Sequence, residues 1–88
     1  MNELDILREQ IDIIDEKLVE LFENRMEISK KIGDLKIQKE IEILNSKREE
    51  EVIKKGISNL KEKELSCEVE EFLRKIMELS RKVQEKKV

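Results

Sequence analysis

The sequence predicts an all-α fold of three helices with a long first helix, and three observations carry that expectation. The 88 residues contain no proline, only two glycines and two aromatic residues, while 47% are charged, a composition of long helices and not of sheets. Apolar residues recur in alternating steps of three and four from Leu4 to Leu35. Two later segments, each opened by capping residues, carry an apolar stripe of helical period.

The first helix is expected over about 3–39. Its seam runs Leu4, Leu7, Ile11, Ile14, Leu18, Leu21, then Ile28, Ile32 and Leu35, the pattern of a helix packed lengthwise against other helices. Gly33 lowers helix propensity locally without ending so strong a pattern. At 1.5 Å per residue this helix is about 55 Å long, whereas a compact chain of this size has a radius of gyration near 12 Å, so a diameter of roughly 30 Å. The seam therefore outruns any globule the chain can make alone, and a second copy is the expected cover.

Glu40 to Leu44 breaks the pattern and reads as a short loop. Ser46-Lys47-Arg48-Glu49 has the form of a capping box, with Asn45 as a competing cap one residue earlier. The second helix, about 46–62, turns Val52, Ile53, Ile57 and Leu60 inward, and Gly56 on that face permits a close crossing. Ser66 is the expected cap of the third helix, about 66–86, with Glu68, Glu70 and Glu71 complementing its dipole. Its apolar face is Val69, Phe72, Leu73, Ile76, Leu79 and Val83, and fraying is expected from Glu85 to Val88. No repeat or linker divides the chain, so residues 1–88 are expected to form one domain.

Composition excludes several function classes. The net charge of −3 leaves no electrostatic footprint for nucleic acid. No apolar run approaches a membrane span, and the acidic N-terminus lacks signal-peptide features. A single cysteine, Cys67, excludes an internal disulfide and fits a reducing cytoplasm; beside a helix start and without a base, it reads as incidental. With no histidine, a histidine-based triad is impossible and a zinc site is not expected.

Arg25 occupies the seam position between Leu21 and Ile28. A guanidinium cannot be neutralised, so a helix seam tolerates it only where an anion meets it. Lys36 lies three turns on along the same face, past Ser29 and Ile32, about 16 Å away between Cα atoms, and two long cationic side chains can close that gap onto one small dianion. Arg8 is about 25 Å from Arg25 along the helix. It cannot share a small ligand with Arg25 of its own chain, but in an antiparallel dimer it can stand beside Arg25 of the other, giving two equivalent sites. Ser80 and Gln84 are neighbours on a stripe of the third helix with Leu73 and Met77, and Arg48 and Glu49 open the second helix. Taken singly, Arg8, Lys36 and Arg48 read as solvated cations, Glu49 as a capping residue, and Ser80 and Gln84 as helix-edge polar groups. Arg25 alone stands out.

Together these residues resemble a known family. Leu7-Arg8-Glu9-Gln10-Ile11-Asp12-Ile13-Ile14-Asp15, followed by Leu18, Leu21, Arg25, Met26 and Lys36, resembles the opening helix of the AroQ-type, all-helical chorismate mutases. Arg48-Glu49 resembles that family's Arg-Glu at the start of helix two, and Ser80 with Gln84 its third-helix pair. The resemblance implies an intertwined, domain-swapped homodimer that rearranges chorismate to prephenate without cofactor or metal. It implies that Arg25 and Arg8 from the partner chain bind the two carboxylates, that Lys36 and Gln84 donate to the ether oxygen, and that Glu49 accepts from the ring hydroxyl. Arg48 and Ser80 would complete the carboxylate wall. Asn45 stands where the family commonly has Asp, and its backbone N–H is the group implied there. The loop's usual Gly and Pro are replaced by Glu40 and Glu42, which bears on loop rigidity.

Other readings remain at this point. An isochorismate pyruvate-lyase shares the fold and a cationic site, although Arg48-Glu49 with Ser80 and Gln84 favours the mutase. A non-catalytic helical dimer explains the heptads but not the coincidence of polar positions. Alanine, threonine, histidine, proline, tryptophan and tyrosine are all absent; an AT-rich genome or a constructed, simplified mutase of impaired activity would each produce that bias.

Overall fold

The computed structural model describes residues 2–85. They form α1 (Glu3–Lys39), α2 (Ser46–Asn59) and α3 (Ser66–Glu85), with one 3₁₀ turn, Lys63–Leu65, leading into α3. There is no strand among the described residues. The expected fraying of the last residues falls mostly on 86–88, outside the described residues.

α1 begins where Asn2 accepts a hydrogen bond from the Asp5 N–H at 2.8 Å, with Glu3 and Asp5 in the first turn and Lys36 and Lys39 in the last. It ends in a Schellman arrangement: the Glu40 N–H donates to Ile37 O and the Ile41 N–H to Lys36 O. Glu40 takes φ 56°, ψ 42°, the left-handed conformation that glycine adopts most easily.

Two details of the later helices differ from expectation. Asn45, not Ser46, caps α2, accepting from the Arg48 N–H at 3.1 Å. With the cap one residue earlier, Glu49 no longer stands at the third helical position, so the capping box does not close, and Glu49 pairs with Arg81 on α3. α2 also stops at Asn59: Leu60 is extended, and Lys63 Nζ donates to the carbonyls of Ile57 and Ser58. Those bonds cover the helix end that a longer helix would have satisfied itself. Ser66 is already helical, and its hydroxyl donates back to Lys63 O, so the 3₁₀ turn rather than a serine cap starts α3.

α3 packs on both other helices, while α1 and α2 touch each other little. It runs parallel to α1, since Ser29 meets Ser80 and Gly33 meets Gln84, and antiparallel to α2, since Glu49 meets Arg81 and Gly56 meets Leu73. Both glycines sit at close approaches. A Cβ on Gly33 would lie 3.0 Å from Gln84 Cα, and one on Gly56 2.4 Å from Leu73 Cδ1.

The buried apolar core is small: Met26, Ile53 and Met77. The N-terminal seam, from Leu4 to Leu21, is 46–63% exposed, and Phe72 of α3, expected inward, is 51% exposed. The molecule measures 56 × 26 × 15 Å with a radius of gyration of 16.3 Å. It exposes 7527 Å², about 2,100 Å² more than a compact monomer of its mass. The N-terminal half of α1 projects beyond the three-helix body with its apolar stripe uncovered. No helix among the described residues is long and apolar enough to cross a membrane.

Candidate active site

Arg25, Ser29, Ile32 and Lys36 lie on one stripe of α1 because residues three and four apart share a helix face. The same spacing aligns Met77, Ser80, Arg81 and Gln84 on α3. The loop turns the start of α2 across these two stripes, bringing in Ile43, Asn45, Arg48, Glu49 and Val52. The three elements enclose a cavity of about 360 Å³ that touches every one of these residues. Seven of the eight site residues expected from sequence (Arg25, Lys36, Asn45, Arg48, Glu49, Ser80 and Gln84) therefore line one space. Arg8 does not; it is exposed on the projecting half of α1.

The cavity is cationic. Arg25 is half-buried, and desolvation, then the nearby charge of Arg48, lowers its pKa from the ordinary arginine value. It remains charged at neutral pH. Among the described residues no ion pair joins Arg25 to a carboxylate, whereas Arg48 pairs at the surface with Glu51 at 3.7 Å. Lys36 donates from Nζ to Ile43 O at 2.7 Å, tying the loop to α1. Arg81 donates to Glu49, so the one carboxylate of the cavity wall neutralises one of its four cations.

On the opposite wall the polar groups are neutral and buried. Ser29 Oγ and Ser80 Oγ are 2.5 Å apart, and Gln84 Nε2 donates to Ser80 Oγ at 3.4 Å. Gln84 is 6% exposed, and its Oε1 has no hydrogen-bond partner. Gly33 explains its position: lacking a side chain, it lets the α3 backbone press against α1 at Gln84.

Sequence reasoning missed Ser29 and Arg81 as site members. Ser29 was visible on the Arg25–Lys36 stripe, but a helix serine carries little signal by itself. Arg81 resembles any of the exposed α3 cations until α2 delivers Glu49 opposite it, 32 residues away in sequence. No cluster of three or more His, Cys, Asp or Glu suited to a metal ion occurs among the described residues.

Arg25 also borders a second, apolar hollow of about 450 Å³, walled by Leu18, Leu21, Phe22, Phe72, Ile76 and Leu79 among others. One side of this guanidinium thus faces the polar cavity and the other an uncovered apolar groove.

Comparison with known proteins agrees with this geometry. A solved structure described as a conserved hypothetical protein from Pyrococcus furiosus superposes with a TM-score of 0.79 at 34% identity, covering 96% of this chain and 97% of that one. No curated protein matches the chain. The family described as chorismate mutase type II matches over residues 7–85, from the residue before Arg8 to the residue after Gln84. With three helices in that order and its match running through the whole cavity lining, the chain belongs to the chorismate mutase type II family.

Proposed function

We propose that the protein is a chorismate mutase, an isomerase that rearranges chorismate to prephenate in a homodimer with two shared sites. The observation that carries this reading is the convergence of Arg25, Lys36, Asn45, Arg48, Glu49, Ser80 and Gln84, scattered over 60 positions, on one cavity. The rearrangement is intramolecular and pericyclic. It needs neither nucleophile nor proton transfer.

What the reaction needs is a dianion held in a compact, reactive conformation. Arg25 and Arg48 are charged groups at the cavity wall, and Arg25 carries an unmet demand for an anion. In this reading Arg25 and Arg8 of the partner subunit hold the two carboxylates, with Arg48 completing the wall and Ser80 behind it, its hydroxyl turned to Ser29 and Gln84. Lys36 and Gln84 donate to the ether oxygen, Glu49 accepts from the ring hydroxyl, and Asn45 contributes its backbone N–H. Lys36 carries three N–H donors, so its bond to Ile43 O can hold the ammonium in place while another N–H meets the ligand. Negative charge grows on the ether oxygen as its C–O bond breaks, so fixed donors there favour the transition state over the ground state.

The dimer supplies the missing cation and the missing cover. Two antiparallel α1 helices related by a two-fold axis midway between Arg8 and Arg25 bring Arg8 of the partner subunit to each Arg25. The partner helix then fills the apolar groove beside Arg25. The excess exposed area, about 2,100 Å² per chain, falls in the range that obligate homodimers bury.

Loss of chorismate followed by absorbance, with product identification, tests the activity. Prephenate supports the reading. Inert chorismate, with pyruvate released from isochorismate, would assign the lyase reaction instead. Site sharing is tested by refolding inactive Arg8→Ala together with inactive Arg25→Ala. Each heterodimer has one doubly damaged and one intact site, so activity should return to a fraction of wild type. No recovery, with heterodimers shown by native mass spectrometry, excludes the swapped arrangement.

A further inference from the structure

Ser29, Ser80 and Gln84 are the buried polar side chains of the described residues, at 4%, 8% and 6% exposure, and they form one row across the α1–α3 contact. The row is imperfectly satisfied as it stands. Gln84 Nε2 reaches Ser80 at a long 3.4 Å, while Gln84 Oε1 is the one buried side-chain polar atom among the described residues without a partner. A buried orphan acceptor costs about 1–3 kcal/mol. Turning the amide by 180° about its last torsion exchanges oxygen and nitrogen in place. Oε1 then faces the Ser80 hydroxyl, and the two N–H donors take the place of the orphan oxygen, where no protein acceptor stands and only a ligand oxygen can meet them.

Whether Ser80 can hold the amide that way depends on its single proton. A buried helix serine otherwise tends to donate to a carbonyl of its own preceding turn, leaving only lone pairs for the glutamine. Ser29 lies 2.5 Å from Ser80 Oγ. If Ser29 donates, it occupies a lone pair of Ser80 and turns the Ser80 proton towards Gln84. We propose that Ser29 is a positioning residue. A one-way chain, Ser29 O–H to Ser80, Ser80 O–H to Gln84 Oε1, leaves the Gln84 amide nitrogen free to donate to the ligand. Its catalytic consequence rests on Gln84 being a donor to the breaking bond, as proposed above.

The chain is tested without turnover by NMR of the ¹⁵N-labelled dimer. Nuclear Overhauser contacts between the Gln84 amide protons and the Ser80 Hβ protons should be weak in wild type and strong in Ser29→Ala. Strong contacts in wild type overturn the proposal. A double-mutant cycle with chorismate then reads the consequence. Ser29→Ala should lower kcat by about three- to ten-fold, the scale of one hydrogen bond, with KM changed less than about two-fold. In a Gln84→Ala background it should change nothing further. An equal loss in both backgrounds would show that Ser29 acts through packing and overturns the chain. An inactive wild type with the expected NMR pattern would instead sink the mutase reading and leave the hydrogen-bond chain standing.

Discussion

Ile14→Asp strikes the dimer at its expected centre. Ile14 lies on the exposed seam, close to the proposed two-fold axis between Arg8 and Arg25, and is 56% exposed in the single chain. Fully burying an isoleucine is worth about 1.5–3 kcal/mol, so covering the remaining half contributes about 1–1.5 kcal/mol. Two-fold symmetry doubles this to about 2–3 kcal/mol per dimer. The substitution also places two carboxylates near one axis in an apolar seam, at a further cost of several kcal/mol. A weakening of about 4 kcal/mol raises the dissociation constant roughly a thousand-fold. Sedimentation equilibrium at micromolar concentration should give twice the chain mass for wild type and a mixture or monomer for Ile14→Asp. Chorismate turnover should fall in parallel and recover at high protein concentration, because Arg8 reaches the site only through the partner. A wild type that sediments as a stable, folded monomer refutes the reasoning. So does an Ile14→Asp protein that keeps both its dimer and its activity.

Further expectations concern the cavity and the loop. Arg25→Leu removes a half-buried charge that repels Arg48 and fills a seam position, so thermal stability should hold or rise while activity disappears; unfolding of this variant, with no ligand-induced stabilisation of wild type, would make Arg25 structural. In Gln84→Glu the side chain donates only when protonated, and burial favours that form. Activity should therefore be lost at pH 7.5 and recover as pH falls towards about 5, with circular dichroism confirming the helices at each pH. Wild-type rate at pH 7.5 removes Gln84 from the breaking bond. Glu40→Gly relieves a left-handed residue, which costs roughly 1–2 kcal/mol, against about 0.4–1 kcal/mol of added chain freedom. Chemical denaturation should show a net gain of about 0.5–1 kcal/mol per chain, and a lower midpoint would contradict the strain at this turn. Gly33→Ala gains about 1 kcal/mol of helix propensity but sets a Cβ 3.0 Å from Gln84 Cα. Backbone must move, so turnover should drop even where the melting temperature does not; unchanged kcat would mean that the contact does not place Gln84.

Apolar spacing and capping chemistry together made the helices legible, because both act within a turn or two of each residue. α1 ends where the period changes at Glu40, whereas α2 stops at Asn59, short of its expected end near residue 62 and with no change of period to mark it. The polar set was legible for a different reason. A cation at a seam position contradicts its surroundings, and Lys36, Ser80 and Gln84 recur at helical spacing, so each helix stripe could be read by itself. What no single stripe contains is its partner. Asn45 caps α2 in place of Ser46, and Glu49, one position too far along to close a capping box, meets Arg81 across the α2–α3 contact.

Sequence alone thus determined the three helices, the cationic stripe of α1 and the disproportion between α1 and any single globule. Local periodicity, charge and length are sufficient for those. The tertiary structure alone decided that seven of the polar residues share one cavity, that Gly33 is the gap into which Gln84 fits, and that Ser29 meets Ser80. These are properties of helices set against one another, and the energy that selects them comes from contacts 32 to 51 residues apart in the chain.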